Sequence, residues 1–215
     1  MKWNLVIVDN HSLFRNGLKV LLRTTMNDYL GEIYEAESGP DLLRLTERCS
    51  FDVALMDIAM PEMSGIEATT RLLRICPQVK VIALTMFREH DYYLQMIHAG
   101  ASGFLVKDAE ITEVKEAILS VMEGGEYFPG SVLIELLKRE EQAAVKDKAA
   151  EHLSDREVEV ISLICKGLSN QEMADQLFLS KRTIDNHRAN ILEKTGCRNT
   201  ASLVIWAVKN RIVEV

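Results

Sequence analysis

The sequence predicts an α/β fold with a doubly wound, five-stranded parallel sheet, followed by a small all-α unit of four helices. Two observations predict this arrangement. In the first part of the chain, short apolar runs alternate with amphipathic stretches, which is typical of strands alternating with helices. Beyond residue 153 only helical patterns remain.

The predicted strands and helices of the α/β unit follow one another in strict alternation. The strands are residues 5–8, 33–36, 53–56, 81–84 and 104–106. The helices are residues 13–22, 42–45, 66–73, 92–97 and 114–122. In a parallel sheet covered by helices on both faces, functional groups collect beyond the carboxyl ends of the strands.

The helices of the second unit are predicted at residues 155–166, 170–177, 181–194 and 200–210. Ser154 with Glu157, and Ser169 with Glu172, have the spacing of a capping box. Gly167 stands where the first of these helices would end.

These patterns predict two domains and a linker. We expect the first domain at residues 1–127, a partly helical linker at 128–151 and the second domain at 152–215. The linker is charged and alanine-rich, with neither Gly nor Pro over residues 131–150.

Charge and apolar content limit the classes of function. The net charge of −7 argues against a protein that coats nucleic acid. Residues 151–215, however, carry nine basic and nine acidic side chains, so the acidic excess belongs to the first part. No apolar run approaches the length of a signal peptide's hydrophobic stretch or of a membrane-spanning helix. We therefore expect a cytoplasmic protein without a membrane partner.

Four cysteines are present, and they lie far apart in the sequence. No two of them form a C-x-x-C pair, and no His stands at zinc-ligand spacing. We expect reduced, mostly buried thiols.

Polar residues with complementary chemistry follow four of the five strands. They are Asp9 and Asn10, Asp57, Thr85, and Lys107. Two carboxylates and an amide can hold Mg²⁺, and Asp57 can then act as a nucleophile towards a phosphoryl group. Lysine and hydroxyl groups at the same edge would bind the phosphoryl oxygens. Each residue alone would be an ordinary loop former.

The stretches IVDNH, MDIAMPEMSG, ALTMF and GFLVKD, at residues 7–11, 56–65, 83–87 and 103–108, resemble the receiver domains of response regulators. The resemblance implies a flavodoxin-like receiver with Asp57 as the phosphoacceptor. It implies that Asp9, Asn10, Asp57 and the backbone carbonyl of Ala59 bind the metal. Thr85 and Lys107 would bind the phosphoryl group, and Phe104 would be an aromatic switch that acts by its bulk alone. A buried core residue is the alternative for Phe104.

Asn10 departs from the family pattern, which usually has two acidic residues after the first strand. A neutral amide offers an oxygen but no charge, and the lost attraction amounts to at least about 1 kcal/mol. We expect weakened Mg²⁺ binding and slower phosphorylation. In the alternative, Asn10 only caps the first helix and the pocket is a relic.

The second and third helices of the C-terminal unit are separated by only three residues, a connection of helix-turn-helix type. Residues 153–213 as a whole resemble the LuxR-type DNA-binding domain, so the chain is similar to NarL/FixJ-class regulators. The match spans the whole domain.

On a helical wheel, Ile184, His187 and Ile191 share the inner face of the recognition helix, so His187 is expected to be structural. The outer face carries Arg182, Asp185, Asn186, Ala189 and Glu193. By resemblance, the base-reading residues are Asp185, Asn186 and Ala189. The expected phosphate contacts are Lys181, Arg182, Thr183, Lys194 and Arg198. Relatives often carry a basic residue at the position of Asp185 or Ala189, so affinity for DNA is expected to be lower here.

The last helix offers a dimer contact by resemblance, while its other side enters the core through Leu203, Val204, Ala207 and Val208. Core packing alone explains the same residues. A dimer would suit two half-sites about one DNA turn apart.

The leading functional hypothesis is a transcription factor of a two-component system, in which a sensor histidine kinase phosphorylates Asp57 and the active homodimer binds promoter DNA. A second hypothesis keeps DNA binding but drops phosphorylation, because Asn10 weakens the metal site. A Mg²⁺-dependent phosphatase is a remote alternative. Such enzymes need a second Asp two residues after the nucleophile, where this chain has Ala59. We expect no enzyme beyond slow self-phosphorylation and self-dephosphorylation.

Overall fold

The computed structural model describes residues 2–86, 90–128 and 153–213, except for the side chains of residues 90 and 91. The chain divides into two units, Met1–Pro129 and Gly130–Val215. Apart from Phe128, the predicted linker lies outside the described residues. Its helical character and the domain boundaries stay predictions.

The first unit alternates strands and helices as predicted. Its strands are β1 (Trp3–Val8), β2 (Leu30–Ala36), β3 (Val53–Asp57), β4 (Lys80–Thr85) and β5 (Gly103–Val106). Its helices are α1 (Ser12–Thr25), α2 (Gly39–Leu45), α3 (Gly65–Ile75), α4 (His90–Ala99) and α5 (Ile111–Met122).

All described strand pairs are parallel, and the strand order is β2-β1-β3-β4-β5. The chain therefore moves outward from β1 in both directions, and β1 and β3 flank the point where the order reverses. Every residue of β3 is buried, as expected for a central strand covered by helices on both faces. The carboxyl ends of β1 and β3 are adjacent, since Val8 pairs with Met56.

Strand β2 begins three residues before its predicted start. It lies at the edge of the sheet and pairs with β1 alone, from Leu30 onward. Buried and exposed residues do not alternate strictly along this strand, and of residues 30–32 only Leu30 is apolar and buried. The sequence pattern therefore did not reveal the first three residues of β2.

Helix α1 begins at Ser12, and His11 occupies its N-cap position without a side-chain capping bond. Asn10 therefore does not cap this helix, so that part of the alternative is wrong, while its second part, a pocket that no longer functions, stays a prediction. Side chains do cap α2 and α3, where Ser38 and Ser64 accept hydrogen bonds from the backbone N–H groups of Asp41 and Glu67.

The second unit has four helices close to the predicted bounds: α6 (Asp155–Cys165), α7 (Asn170–Leu177), α8 (Lys181–Thr195) and α9 (Thr200–Lys209). Both predicted capping boxes are present, at Ser154 with Glu157 and at Ser169 with Glu172. Gly167 follows the C-cap of α6 with φ +80°, a backbone conformation that suits glycine.

The core of this unit is built from all four helices, with Ile161, Met173, Ile184, Ile191 and Trp206 among its members. Most of α9 is buried, including Ala201, Ser202 and Ile205 on the side not assigned to the core. This burial leaves α9 without an exposed apolar face, and its dimer contact stays a prediction.

None of the described helices is long and apolar enough to cross a membrane. The four cysteines carry free thiols and are partly buried, so the expectation of mostly buried thiols overstated their burial. Burial raises the pKa of the Cys165 thiol to about 11.

Candidate functional site

Asp9, Asp57 and Lys107 meet at the carboxyl edge of the sheet. Asp9 directly follows β1, Asp57 ends β3, and Lys107 directly follows β5. The Lys107 ammonium lies 2.6 Å from Asp9 Oδ2 and 2.8 Å from Asp57 Oδ2. One buried lysine therefore neutralises part of the charge of two buried carboxylates.

Both Oδ2 atoms are buried, and the Lys107 ammonium is the charged group within 2.8 Å of each. Attraction between charges holds the three groups together. Two buried carboxylates that share one ammonium are costly unless a further positive charge offsets the second carboxylate. The site is therefore suited to a second positive charge.

Asp9 is held in place by His11, a residue that the sequence reasoning missed. The His11 backbone N–H donates to Asp9 Oδ1 at 2.7 Å, and its ring Nδ1 lies 2.9 Å from the same oxygen. Arg15 donates to the Asp9 carbonyl at 2.5 Å. An Asp side chain commonly accepts a hydrogen bond from the backbone N–H two residues further on, and this spacing is the signal that could have identified His11.

Asp57 is nearly inaccessible, with 2% of its surface exposed. Burial raises its pKa, although Lys107 and a 3.3 Å hydrogen bond from the Ala59 N–H group oppose the rise. Gly65 packs directly behind it: a Cβ added at Gly65 would lie 2.0 Å from the Asp57 carbonyl oxygen. Contacts with Lys107 and Ala59 hold the side chain of Asp57, and the close packing of Gly65 holds its backbone.

Among the described residues, the group of carboxylates and imidazoles that could hold a metal ion is Asp9, His11 and Asp57, with ligand atoms within 4.8 Å of one another. Two carboxylates fit Mg²⁺, which prefers oxygen ligands. Asn10 and Ala59 are exposed beside this group.

Thr85 ends β4 and is 1% exposed, and its carbonyl accepts a 2.7 Å hydrogen bond from the Lys107 N–H group. This bond ties the ends of β4 and β5 together beside the carboxylates. Phe104 is fully buried and stacks on Tyr93 of α4, with ring centroids 3.7 Å apart. Its surroundings are those of a core residue, and a switching role stays a prediction.

In the second unit, helix α8 presents the predicted outer face to solvent. Arg182, Asp185, Asn186, Ala189 and Glu193 are all exposed, whereas Ile184 and Ile191 are fully buried. His187 is half-buried. The predicted division of this helix into two faces is confirmed.

The five predicted phosphate contacts differ in their surroundings. Lys181, Arg182 and Arg198 are exposed, and Thr183 shares a 2.8 Å hydrogen bond with Ser180 at the start of α8. The Lys194 ammonium instead donates to the buried Glu157 carboxylate at 2.8 Å. Lys194 therefore also joins α8 to α6.

A chain of hydrogen bonds that sequence reasoning missed connects α8 with its neighbours. Asn170, the first residue of α7, donates to Asp185 Oδ1 at 2.6 Å and accepts from Arg188 at 2.6 Å. Arg188 also donates to the Thr200 hydroxyl at the start of α9.

Comparison with known proteins assigns both units. Residues 5–119 match the response regulator receiver domain family, and residues 151–207 match the family of bacterial regulatory proteins named luxR. The chain is 33% identical to the transcriptional regulatory protein DegU of Brevibacillus brevis, over 100% of this chain and 96% of DegU. It is 32% identical to the response regulator GacA of Pseudomonas aeruginosa, over 97% of each chain.

Among solved structures, the complex of the response regulator RcsB with DNA covers 96% of this chain and 98% of RcsB. The TM-score is 0.58 and the identity is 23%, so this likeness concerns the fold.

Proposed function

The chain belongs to the response regulators of the NarL/FixJ class, transcription regulators with a receiver and a LuxR-type DNA-binding domain, and we propose that phosphorylation of Asp57 controls its binding to promoter DNA. The family is not a family of catalytic enzymes, and the phosphatase alternative is therefore set aside. The observation that carries the proposal is the buried Asp57 carboxylate, 2.8 Å from the Lys107 ammonium at the carboxyl edge of the sheet.

In the proposed reaction an Asp57 carboxylate oxygen forms a bond to phosphorus while the bond between phosphorus and the donor breaks. The donor is the phosphohistidine of a sensor kinase, or a small acyl phosphate. The Lys107 ammonium then contacts a phosphoryl oxygen in place of the Asp57 carboxylate oxygen. The positive charge of Lys107 therefore stays paired with a negative one. The Thr85 hydroxyl donates to a second phosphoryl oxygen.

Asp9, Asn10, Asp57 and the Ala59 carbonyl are the proposed ligands of Mg²⁺. The bound ion supplies positive charge to the transferring phosphoryl oxygens. The two buried carboxylates that share the single Lys107 ammonium support this assignment. Asn10 brings no charge, so the ion is bound more weakly than at a site with three carboxylates.

Phosphorylation is proposed to shift a two-state equilibrium of the receiver. Thr85 moves towards the phosphoryl group, and Phe104 follows by repacking against Tyr93. The burial of Thr85 and Phe104 and the stacking of Phe104 on Tyr93 support this coupling, because a shift of one side chain displaces its packed neighbours.

The outer face of α8 is proposed to enter the major groove of double-stranded DNA. Asp185, Asn186 and Ala189 read bases, while Lys181, Arg182, Thr183, Lys194 and Arg198 contact phosphates. The exposure of the base-reading residues supports this assignment. Because Lys194 already pairs with Glu157, it contributes least among the phosphate contacts.

The proposed partners are a sensor histidine kinase, promoter DNA and a second copy of the chain, all in the cytoplasm. The complex of RcsB with DNA supports DNA as a partner, since the fold of that protein is shared along nearly the whole chain.

The second candidate function is a DNA-binding regulator whose receiver works without phosphorylation. One observation favours it: Lys107 already contacts both carboxylates, while Asn10 is exposed and adds no charge. In that case the Lys107 contacts would be the permanent state of the site.

Incubation with acetyl phosphate and Mg²⁺, followed by intact-mass measurement and sedimentation, separates the two candidates. The full-length protein is compared with Asp57→Ala and Asn10→Asp. Asp57-dependent phosphorylation with tighter dimerisation supports control by phosphate. Asn10→Asp should lower the Mg²⁺ concentration needed by roughly fivefold or more, because it restores about 1 kcal/mol of attraction.

Phosphorylation seen only after Asn10→Asp would overturn the first candidate in favour of the second. Phosphorylation that persists in Asp57→Ala would show that another residue accepts the phosphoryl group.

A further inference from the structure

Asn170 stands outside the proposed DNA-contacting residues, yet its side chain bonds to one of them. It is the first residue of α7, and its Nδ2 donates to Asp185 Oδ1 at 2.6 Å. Asp185 lies 15 residues further along the chain, on the exposed face of α8. The proposed base-reading carboxylate is therefore held by a residue of a different helix.

The orientation of the Asn170 amide is fixed by its two partners. Its Oδ1 accepts from Arg188 Nη1 at 2.6 Å, while its Nδ2 faces the Asp185 carboxylate. A guanidinium only donates and a carboxylate only accepts, so a flipped amide would oppose like groups at both ends. The amide can therefore make these two bonds in one orientation only.

Arg188 is itself anchored, because its second nitrogen donates to the Thr200 hydroxyl. The bonds run from Thr200 through Arg188 and Asn170 to Asp185 and so join α9, α8 and α7. Arg188 is half-buried, and its charge lies two hydrogen bonds away from the Asp185 carboxylate. That arrangement offsets part of the repulsion between Asp185 and DNA phosphates.

We propose that Asn170 is a positioning residue that orients the Asp185 carboxylate and thereby sets the base preference of this regulator. The inference rests on the proposed role of Asp185 in reading bases. A carboxylate has acceptor positions for about four hydrogen bonds. One is taken by Asn170, and a remaining one is directed at the amino group of a cytosine in the major groove.

The alternative explanation is that Asn170 has a purely structural role and only joins α7 to α8. The two explanations differ in what they predict. If the role is purely structural, loss of the Asn170 side chain lowers the stability of the unit and reduces the affinity for all DNA sequences equally. A positioning role changes the preference at one base pair, because a carboxylate released from Asn170 samples several rotamers and accepts less selectively.

The test uses the full-length protein, treated with acetyl phosphate and Mg²⁺, and selection from a random double-stranded DNA library. Dissociation constants are then measured for the selected site with each of the four base pairs at the position that depends on Asp185. The variants are Asn170→Ala, Asn170→Asp, Asp185→Ala and the double variant Asn170→Ala/Asp185→Ala. Gln171→Ala is the matched control, since Gln171 is the exposed neighbour and, among the described residues, its side chain donates within α7, to Asp175 at 2.8 Å.

We expect Asn170→Ala to reduce the preference at that position by roughly fivefold, within the range that one bidentate contact supplies. Asn170→Asp should do the same while keeping an acceptor for Arg188, because it places two carboxylates face to face. The double variant should show the profile of Asp185→Ala alone, and Gln171→Ala should match the wild type. Thermal melting shows whether each variant is folded.

The inference is overturned if Asn170→Ala keeps the wild-type preference while affinity falls uniformly, which would make the role of Asn170 purely structural. A wild-type protein that selects no site, or an Asp185→Ala variant with an unchanged site, overturns the proposed role of Asp185 and the inference with it. Loss of the preference in Asn170→Ala alone, with Asp185→Ala unchanged, would assign base reading to Asn170 itself and also overturn the proposal.

Discussion

The Lys107 ammonium lies 2.8 Å from the Asp57 carboxylate, and both side chains are almost fully buried. Burial raises the pKa of Asp57 despite this contact, so the folded state disfavours the ionised carboxylate. A group with a raised pKa contributes stability at low pH that is lost as the pH rises through its folded pKa. At neutral pH Asp57 therefore lowers the stability of the receiver.

Asp57→Asn should accordingly raise the melting temperature of the receiver at pH 8 by roughly a few degrees. Lys107 remains paired with Asp9 in this variant. The gain should shrink as the pH is lowered towards the pKa of Asp57. Scanning calorimetry between pH 5 and pH 8 measures it, with the exposed Asp28→Asn as control. A lower melting temperature at pH 8 would show that the attraction to Lys107 outweighs the cost of burial.

Gly65 should not tolerate a side chain. The Cβ of Gly65→Ala would lie 2.0 Å from the Asp57 carbonyl oxygen and 2.9 Å from Ile58 Cα, both backbone atoms that cannot rotate away. We expect a loss of about 1–3 kcal/mol in the free energy of unfolding, together with slower phosphorylation of a displaced Asp57.

Gly17→Ala is the matched control for this substitution. Gly17 lies within α1, where an added Cβ would meet no atom within 4 Å. Alanine there should stabilise the receiver by about 0.5–1 kcal/mol. Urea denaturation measures both variants, and equal effects of the two would contradict the close packing of Gly65 behind Asp57.

The sequence predicted those parts of the site that depend on strand ends, and it missed those that depend on contacts between elements. Asp57 and Lys107 each follow an apolar run, and the carboxyl ends of parallel strands share one edge. The bonds from Asn170 to Asp185 and from Lys194 to Glu157 join residues 15 and 37 positions apart. No periodicity marks such pairs, because they depend on how helices pack.

Phe178 illustrates a different gap between sequence and structure. Its backbone adopts the left-handed conformation, with φ 55°, at the C-cap of α7, and 95% of its surface is exposed. Glycine or asparagine usually takes this position, so an exposed phenylalanine offered no sign of the turn geometry. The short connection between α7 and α8 was nonetheless predicted, because the predicted helices 170–177 and 181–194 leave only three residues between them.

Phe178→Gly should therefore stabilise the second unit by about 0.5–1 kcal/mol, since glycine adopts positive φ without strain and no packing is lost. Phe178→Ala keeps a Cβ and should bring no gain, which separates relief of strain from removal of an exposed aromatic ring. The fluorescence of Trp206, buried in the core of this unit, follows its unfolding in a Trp3→Phe background. Equal stabilisation by Gly and Ala would argue against backbone strain at this position.

Glu157 makes the stability of the second unit depend on pH in the acid range. Burial raises the pKa of this carboxyl, but hydrogen bonds from Lys194 and from Ser154, together with the Lys194 charge, outweigh it and hold the pKa at about 2, below the ordinary 4.5. A group with a depressed pKa contributes stability above its unfolded pKa, and this stability is lost as the pH falls through the folded pKa. The contribution at neutral pH is on the order of 1 kcal/mol, because the Lys194 side chain is exposed and solvent screens the pair.

We therefore expect the stability of the second unit to fall between about pH 4.5 and pH 2, and Glu157→Gln to remove most of this fall. Lys194→Met should move the loss to higher pH, because the carboxyl then keeps only its bonds to Ser154. Glu159→Gln is the control, since Glu159 is an exposed neighbour that pairs with Arg156. Urea denaturation at a series of pH values, followed by Trp206 fluorescence, measures the effect. If Glu157→Gln lost stability in parallel with the wild type, the acid sensitivity would belong to another carboxylate, and the bond between Lys194 and Glu157 would contribute little to holding α8 against α6.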